Sequence, residues 1–247
     1  MIFKYLGAVS LILLASLATA QAPVPVPKTP SATTAVTAYI APAVLFSQFA
    51  LPAWPASGSA EAQADLTAVL TAQAQRQPTD VAEALLDAAR GPMTWAQDAA
   101  GLGATFTAQR YPATAALLLA LHEDMRAVNR AGNEQLGHRA RPVVVDNRVK
   151  SIFADNLTHT ASYPSARTAS SRVWALLLAE VFPQRRAALL AHAERTAQLR
   201  LIGGAHFPSD ISAGRHVSDA YFTQLRSNAT FEQALRLAQQ EAQTLPL

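Results

Sequence analysis

Residues 199–210 read Leu-Arg-Leu-Ile-Gly-Gly-Ala-His-Phe-Pro-Ser-Asp. Because glycine permits positive φ and close backbone approach, Gly203 and Gly204 would let a helix-end Arg200 come near His206. A helix that begins near Pro208 would place Asp210 where its carboxylate can accept a hydrogen bond from one imidazole nitrogen, which leaves the other nitrogen as a nucleophile or base. The segment therefore predicts two helices whose connecting turn carries a reactive histidine.

Two earlier segments supply groups that bind anions. Arg141-Pro142 places a second guanidinium at the start of an irregular segment, and arginine grips phosphate oxygens through paired hydrogen bonds. Pro164-Ser165-Ala166-Arg167-Thr168 is typical of a turn that leads into a helix, where a serine hydroxyl and the free amides of the first helical turn form an anion cradle. The three segments together predict a pocket for a tetrahedral oxyanion beside His206.

Each of these signals also has a simpler interpretation. His206 and Asp210 fit a surface histidine and a helix-capping carboxylate, and any single arginine fits a solvated ion pair. Ser165 fits an ordinary helix N-cap. The residues alone leave these alternatives open, and it is the order of the three segments that favours a functional site.

Composition indicates a helical domain. Half of the residues are apolar, many of them alanine and leucine, and such sequence favours helix over sheet. We expect one all-α domain over residues 45–247, with Leu85 and Leu86 facing the core and Val143–Val145 forming a short strand or extended chain. The expected helices span residues 62–75, 81–89, 113–129, 168–181, 184–199, 208–225 and 230–243, with a short one within 95–106.

The N-terminus predicts export. Residues 1–20 fit a cleaved signal peptide that ends in Ala18-Thr19-Ala20, and residues 21–44 fit a proline-rich, extended lead-in. A membrane anchor is the alternative, but the apolar run Tyr5–Leu17 is shorter than the about 20 residues that a spanning helix needs. The chain has no cysteine, which excludes disulfides, a thiol nucleophile and Cys-ligated metal. Its net charge is +3 without a basic block, which argues against nucleic acid as a partner.

The ordered segments resemble the motifs of the bacterial class A non-specific acid phosphatases, within the superfamily of type 2 phosphatidic acid phosphatases and vanadium haloperoxidases. That family shows Lys-x6-Arg-Pro, Pro-Ser-Gly-His and Ser-Arg-x5-His-x3-Asp. This chain has Glu134-x6-Arg141-Pro142, Pro164-Ser165-Ala166-Arg167 and Leu199-Arg200-x5-His206-x3-Asp210. The similarity covers residues 45–225 and implies a single-domain helical bundle of the acid phosphatase and vanadium haloperoxidase type.

The resemblance also implies a role for each matching residue. His206 would attack phosphorus and form a phosphohistidine, with Asp210 orienting its ring. Arg141 and Arg200 would hold the non-bridging oxygens, whose charge must be balanced in the transition state. Ser165 and the amide of Ala166 would add hydrogen bonds. The family requires no metal and no other cofactor.

Two family positions are substituted. Arg167 stands where the family has the histidine that protonates the leaving alkoxide, and losing a general acid lowers rates by about 10²–10⁴-fold. Glu134 stands where the family has a phosphate-contacting lysine. These complementary changes predict a Glu134–Arg167 ion pair. His159 and His138 are candidates for a replacement acid, and the alternative is that both are solvent-facing loop residues.

The sequence therefore predicts a periplasmic or secreted phosphomonoesterase of weakened activity. The alternative is a catalytically inactive relative that binds phosphate or a phosphorylated ligand through Arg141, Arg167 and Arg200. The expected partner is a phosphate or phosphomonoester ligand, without stable membrane insertion after signal cleavage. A homodimer is compatible with helices rich in alanine and leucine.

Overall fold

A computed structural model of the chain describes residues 39–40, 51–98, 101–153 and 159–245. In these ranges every regular element is helical, so the predicted all-α fold is confirmed. The helices lie within one compact unit, Val36–Leu247. The predicted signal peptide and nearly all of the proline-rich lead-in lie outside the described residues, and the division of the chain into these segments stays a prediction.

The helices follow one another along the chain with short connections. They are α1 (Ala60–Gln75), α2 (Pro78–Ala89), α3 (Pro92–Asp98), α4 (Pro112–Leu136), α5 (Pro142–Val145), α6 (Ala166–Val181), α7 (Arg186–Ile202), α8 (Pro208–Leu225) and α9 (Ala229–Thr244). A 3₁₀ turn, Pro183–Arg185, joins α6 to α7.

Proline and small polar residues determine where the helices begin. Five of them, α2, α3, α4, α5 and α8, start with proline, whose fixed φ suits the first helical position and whose missing N–H has no partner there. Ser59 caps α1 by accepting from the amide of Ala62 at 3.1 Å. The expectation for Val143–Val145 was wrong, because the carbonyl of Arg141 accepts from the amides of Val144 and Val145 at 2.9 and 3.0 Å and closes the short helix α5.

Helix α6 is the centre of the bundle and packs against α4, α7 and α8. Its Trp174 is fully buried and contacts Trp95 of α3, with the ring centroids 5.6 Å apart and the ring planes tilted by 59°. The indole of Trp95 donates to the hydroxyl of Thr196 on α7 at 3.0 Å, so its polar edge is satisfied inside the core. This packing joins α6 to α3 and α7, and the amide of Ser165 joins the start of α6 to α8 by donating to the carbonyl of Asp210 at 3.0 Å.

Helix α2 is oriented differently from the sequence-based expectation. Leu85 and Leu86, expected to face the core, are 46% and 55% exposed, whereas Ala84 and Asp87 are buried. Two arginines from other helices bind the Asp87 carboxylate, and an ion-paired carboxylate can occupy the interior where an unpaired one cannot. The requirement to pair those arginines therefore sets the rotation of α2.

None of the helices in the described ranges combines the length and the apolar character needed to cross a bilayer.

Candidate active site

The α7–α8 turn brings Arg200 and His206 together. Gly204 adopts φ of +71°, and the amide of Ala205 donates to the carbonyl of Arg200 at 3.0 Å, which closes the turn. The chain then enters α8 at Pro208. His206 is only 4% exposed, so its ring chemistry is set by its neighbours and not by water.

The hydrogen bonds of His206 define its tautomer. Its Nδ1 lies 2.8 Å from the carbonyl oxygen of Ser162, which can only accept, so Nδ1 carries the proton. Its Nε2 lies 3.1 Å from Nη1 of Arg141, which can only donate, so Nε2 presents a lone pair. Burial, with help from Arg141 and Arg200, lowers the pKa of His206 and opposes the effect of Asp210. The ring is therefore a neutral imidazole with a nucleophilic Nε2.

Asp210 supports this arrangement indirectly. Its carboxylate is 3.7 Å from Nδ1 of His206, so the predicted direct hydrogen bond is replaced by the one to Ser162. The carboxylate accepts instead from the Ser162 hydroxyl at 2.6 Å, the Phe207 amide at 2.8 Å and Nη1 of Arg139 at 2.5 Å. At the N-terminus of α8, the Asp210 carboxylate binds the amide of Phe207 and the hydroxyl of Ser162. The carbonyl of Ser162 then faces the ring of His206.

Arg139 is a site residue that the sequence interpretation missed. It lies buried between Asp210 and Asp65 of α1, the latter 2.8 Å from its Nη2, and its guanidinium stacks on Phe207 at 4.3 Å. Its carbonyl accepts from the amide of Ser162 at 2.9 Å. The signal available was the alternation Arg139-Ala140-Arg141 before a proline, because extended chain places residues i and i+2 on one side.

Arg141 is buried next to the reactive nitrogen. Its Nε binds the carbonyl and hydroxyl of Thr160, its Nη2 the carbonyl of Ala161, and its Nη1 the carbonyl of Ala205 as well as His206. Burial lowers the pKa of Arg141, against the opposing field of Asp210. These carbonyls fix the guanidinium plane so that its Nη1 edge faces the ring of His206.

Ser165 lies at the N-terminus of α6, as predicted. Its hydroxyl caps the helix at the amide of Thr168, and its own amide donates to the carbonyl of Asp210 at 3.0 Å. Ala166 is exposed, and its amide makes no hydrogen bond within the described part of the chain. The free amides at the start of this 16-residue helix therefore point a positive dipole end toward solvent beside the motif residues.

Arg200 has an unsatisfied polar atom. Its guanidinium stacks on Phe153 at 4.3 Å, and its Nη2 donates to the carbonyl of Ala84 at 3.1 Å and to Asp87 at 3.2 Å. Its buried Nε has no hydrogen-bond partner among the described residues. Burial lowers the pKa of Arg200 to about 10, which leaves it charged at neutral pH. A buried N–H without an acceptor fits a ligand oxygen, because native proteins rarely leave such a group unpaired.

Arg167 and Glu134 do not form the predicted pair. The guanidinium of Arg167 is bound by the carboxylate and carbonyl of Asp87 and by the carbonyl of Arg90, at the C-terminal end of α2. Glu134 is exposed on α4 and has no ion pair within the described ranges. That hypothesis was wrong because Asp87 provides a buried carboxylate, and the α2 terminus provides carbonyls, much nearer to Arg167.

The two candidate replacement acids are both exposed. His159 lies on the loop before Thr160, and His138 lines a cavity of about 330 Å³ with Trp54 and Phe207. Neither has a hydrogen bond to the residues around His206 in the described structure. The structure thus brings together His206, Asp210, Arg141, Arg200 and Ser165, and directs Arg167 toward Asp87.

Comparison with known proteins agrees with this geometry. Residues 133–224, which contain all three motifs, match the PAP2 superfamily. A non-specific acid phosphatase of Salmonella typhimurium is 35% identical over 105 residues, 42% of each chain. One of Providencia stuartii is 36% identical over 87 residues, 35% of each chain.

A third relative is an acid phosphatase of Zymomonas mobilis. It is 31% identical over 124 residues, which are 49% of this chain and 46% of the relative. The matched part is less than half of the length of each of these relatives. The resemblance inferred from the motifs is confirmed: residues 133–224 match the PAP2 superfamily, and the proteins similar to this chain include bacterial non-specific acid phosphatases.

Proposed function

We propose that the chain hydrolyses phosphomonoesters through a phosphohistidine at Nε2 of His206. The observation that carries this proposal is the pair of contacts on the imidazole: a carbonyl acceptor at Nδ1 and a guanidinium at Nε2. Together they hold a neutral nucleophile beside a cation, which is the requirement for attack on an anionic phosphoryl group.

In the first step Nε2 forms a bond to phosphorus and the ester P–O bond breaks. Arg141, the Nε of Arg200 and the amides at the start of α6 then balance the charge of the non-bridging oxygens. The ring becomes an imidazolium, whose charge is balanced by the Asp210 carboxylate at 3.7 Å from Nδ1. In the second step water attacks phosphorus, the P–N bond breaks, and phosphate leaves His206 neutral again.

Activity should depend on the leaving group. The departing alkoxide needs a proton, and the guanidinium of Arg167, which is bound to Asp87, belongs to a poor class of proton donor. We therefore propose weakened turnover of alkyl phosphates, by about 10²–10⁴-fold relative to an enzyme with a general acid. Esters of acidic phenols need no such proton and should be affected less.

The second candidate function is phosphate binding without turnover. It is favoured by the same observation on Arg167, because the site has cations and amides for an oxyanion but no proton donor at this position. Arg167 itself would not be part of that cradle, since its guanidinium is directed to Asp87 and the end of α2.

The remaining proposals concern location and partners. We propose a periplasmic or secreted protein, on the signal-peptide pattern of residues 1–20. The proposed ligand is phosphate or a phosphomonoester. A homodimer and the absence of a nucleic-acid partner stay predictions from the sequence.

The test is an assay of the mature chain on p-nitrophenyl phosphate and on an alkyl phosphate from pH 4 to 8. We expect turnover of the aryl ester, abolished by His206→Ala and retained by His216→Ala, an exposed histidine on the same helix. Rapid acid quench should trap the phosphohistidine. Aryl ester turnover that survives His206→Ala would disprove the mechanism.

Two further variants distinguish the candidates. Arg167→His, alone and with Glu134→Lys, should raise alkyl phosphate turnover more than aryl ester turnover, because it restores a proton donor. If the parent chain binds inorganic phosphate in calorimetry but turns over neither ester, the binding function is correct. Absence of both binding and turnover would exclude both proposals.

A further inference from the structure

Asp87 on α2 is the buried anion at the centre of the arginine cluster. Its Oδ2 accepts from Nη2 of Arg200 at 3.2 Å and from Nε of Arg167 at 3.2 Å. Its Oδ1 accepts from Nη2 of Arg167 at 3.2 Å and from the hydroxyl of Thr196 at 2.9 Å. One carboxylate thus joins the arginine of the third motif to the arginine of the second.

These contacts determine which atoms of Arg200 remain available. Asp87 and the carbonyl of Ala84 both bind Nη2, and Phe153 covers one face of the guanidinium. The buried Nε is left without an acceptor among the residues that the structure describes. An arginine held at one end and along its face presents its remaining N–H groups in a fixed direction, which is the condition for transition-state stabilisation.

Charge balance favours the same interpretation. Arg200 is almost fully buried, and Arg167 and Arg141 both lower its pKa, whereas Asp87 raises it. Without the carboxylate, two neighbouring guanidinium groups would repel each other, and Arg200 could leave its position. Within the described ranges, the hydrogen bonds of the Asp87 carboxylate all come from donors, so it acts as an acceptor and counter-ion here.

We propose that Asp87 is a positioning residue for phosphoryl transfer. It orients Arg200 so that Nε meets a non-bridging oxygen, and it binds Arg167 so that this second guanidinium stays out of the oxyanion site. The expected effect of Asp87 on turnover rests on the proposed function. The expected effect on phosphate binding, through the orientation of Arg200 toward a tetrahedral oxyanion, rests on the contacts alone.

The experiment compares Asp87→Asn, Asp87→Glu and the double variant Asp87→Asn with Arg200→Lys. For Asp87→Asn we expect kcat/KM on p-nitrophenyl phosphate to fall roughly 10- to 100-fold, the loss typical of a misplaced binding group. Inorganic phosphate should bind more weakly in calorimetry. Asp87→Glu should recover part of the lost kcat/KM and part of the lost phosphate affinity. In the Arg200→Lys background, Asp87→Asn should change kcat/KM and phosphate affinity by less than about twofold each, because the two residues act as a unit.

Asp80→Asn is the matched control. Asp80 also lies on α2 and also pairs with an arginine of α7, Arg195, at 2.8 Å, but outside the site. It should lower the melting temperature and leave kcat/KM and phosphate binding unchanged. This separates a general role in joining α2 to α7 from the orientation of Arg200.

Three results would overturn the inference. Asp87→Asn could behave as Asp80→Asn does, with stability lowered and kinetics intact. Its effect could be equally large in the Arg200→Lys background. Phosphate could bind more tightly, which would show that the carboxylate only opposes the ligand's charge. If the parent chain proves inactive, the phosphate titrations still decide among these results, so failure of the proposed catalysis is distinguished from failure of this proposal.

Discussion

The Nδ1 atom of His206 donates to the carbonyl of Ser162 at 2.8 Å, and Ser162 in turn donates its hydroxyl to Asp210 at 2.6 Å. The carboxylate therefore acts on the ring mainly through the position of Ser162. A backbone carbonyl can fix the tautomer as well as a carboxylate can, because it accepts but never donates. Ser162, the residue before the cis Tyr163–Pro164 bond, thus helps to hold the ring of His206, the proposed nucleophile.

Ser162→Ala tests that support. The carbonyl stays, but Asp210 loses one of its donors, and leaving a buried acceptor short of a donor costs about 1–3 kcal/mol. We expect kcat on p-nitrophenyl phosphate to fall about tenfold, equivalent to about 1.4 kcal/mol. Ser218→Ala removes another buried serine hydroxyl, bound to the carbonyls of Ala169 and Gly214, and should reduce stability without this kinetic loss. An unchanged kcat in Ser162→Ala would contradict the role.

Gly214→Ala should displace the turn at Ser165, which is the proposed anion cradle at the start of α6. A Cβ at this position of α8 would lie 2.7 Å from the carbonyl oxygen of Ser165, so backbone must move. We expect a loss of about 1–3 kcal/mol in unfolding free energy, as for other overpacked sites, together with a higher KM. Gly91→Ala is the control, because its Cβ would meet nothing within 4 Å. Equal melting temperatures for the two variants would show that α8 does not pack tightly against the turn at Ser165.

Arg139→Met should be strongly destabilising. It leaves the buried carboxylates of Asp65 and Asp210 without their shared cation, and breaking a buried pair in this way costs about 3–5 kcal/mol. Arg172→Met removes the more exposed pair with Asp219 and should cost at most about 1 kcal/mol. Urea denaturation at pH 7 measures both. Similar values for the two variants would refute the assignment of Arg139 as a structural cation of the site.

Acid should destabilise the fold through one buried histidine, His206, and two half-buried ones, His122 and His192. Burial lowers the pKa values of His206, His122 and His192 from 6.5 in the folded state. The unfolded chain therefore binds more protons as the pH falls below about 6.5, and the contribution of these neutral histidines to stability, complete above that pH, is lost. We expect a lower melting temperature at pH 5 than at pH 7.5.

The same experiment has an internal control. His122→Gln and His192→Gln should each reduce the difference in melting temperature between the two pH values, because glutamine does not titrate. His216→Gln, at an exposed position on α8, should leave the difference unchanged. A difference that is the same in all three variants would assign the acid sensitivity to other groups.

Much of the fold was predictable from local sequence. The expected helices at 62–75, 81–89, 168–181 and 208–225 correspond to α1, α2, α6 and α8, because capping residues and prolines mark helix starts without reference to the rest of the chain. Helix α4 runs further than expected, from Pro112 to Leu136. Its C-terminal turns are polar, and periodicity of apolar residues gives no indication where a solvent-facing helix ends.

The site was predictable only in part. His206, Asp210, Arg141, Arg200 and Ser165 carry recognisable spacing, whereas Asp87 lies in a helix with no motif around it. The predicted Glu134–Arg167 pair shows why: complementary charges in the sequence do not reveal which carboxylate is nearest in space. An ion pair depends on distance and burial, and both are properties of the packed helices.

The amino-acid sequence by itself determined the helical class, the helix starts and which histidine and arginines to propose as nucleophile and neighbouring cations, because these follow from residue type and spacing along the chain. Tertiary structure alone decided that Ser162 and not Asp210 accepts from the ring, that Asp87 binds Arg167 and Arg200, and that α2 turns Leu85 and Leu86 outward. Those outcomes depend on which polar groups meet inside the bundle, where each buried charge must find a partner from another helix.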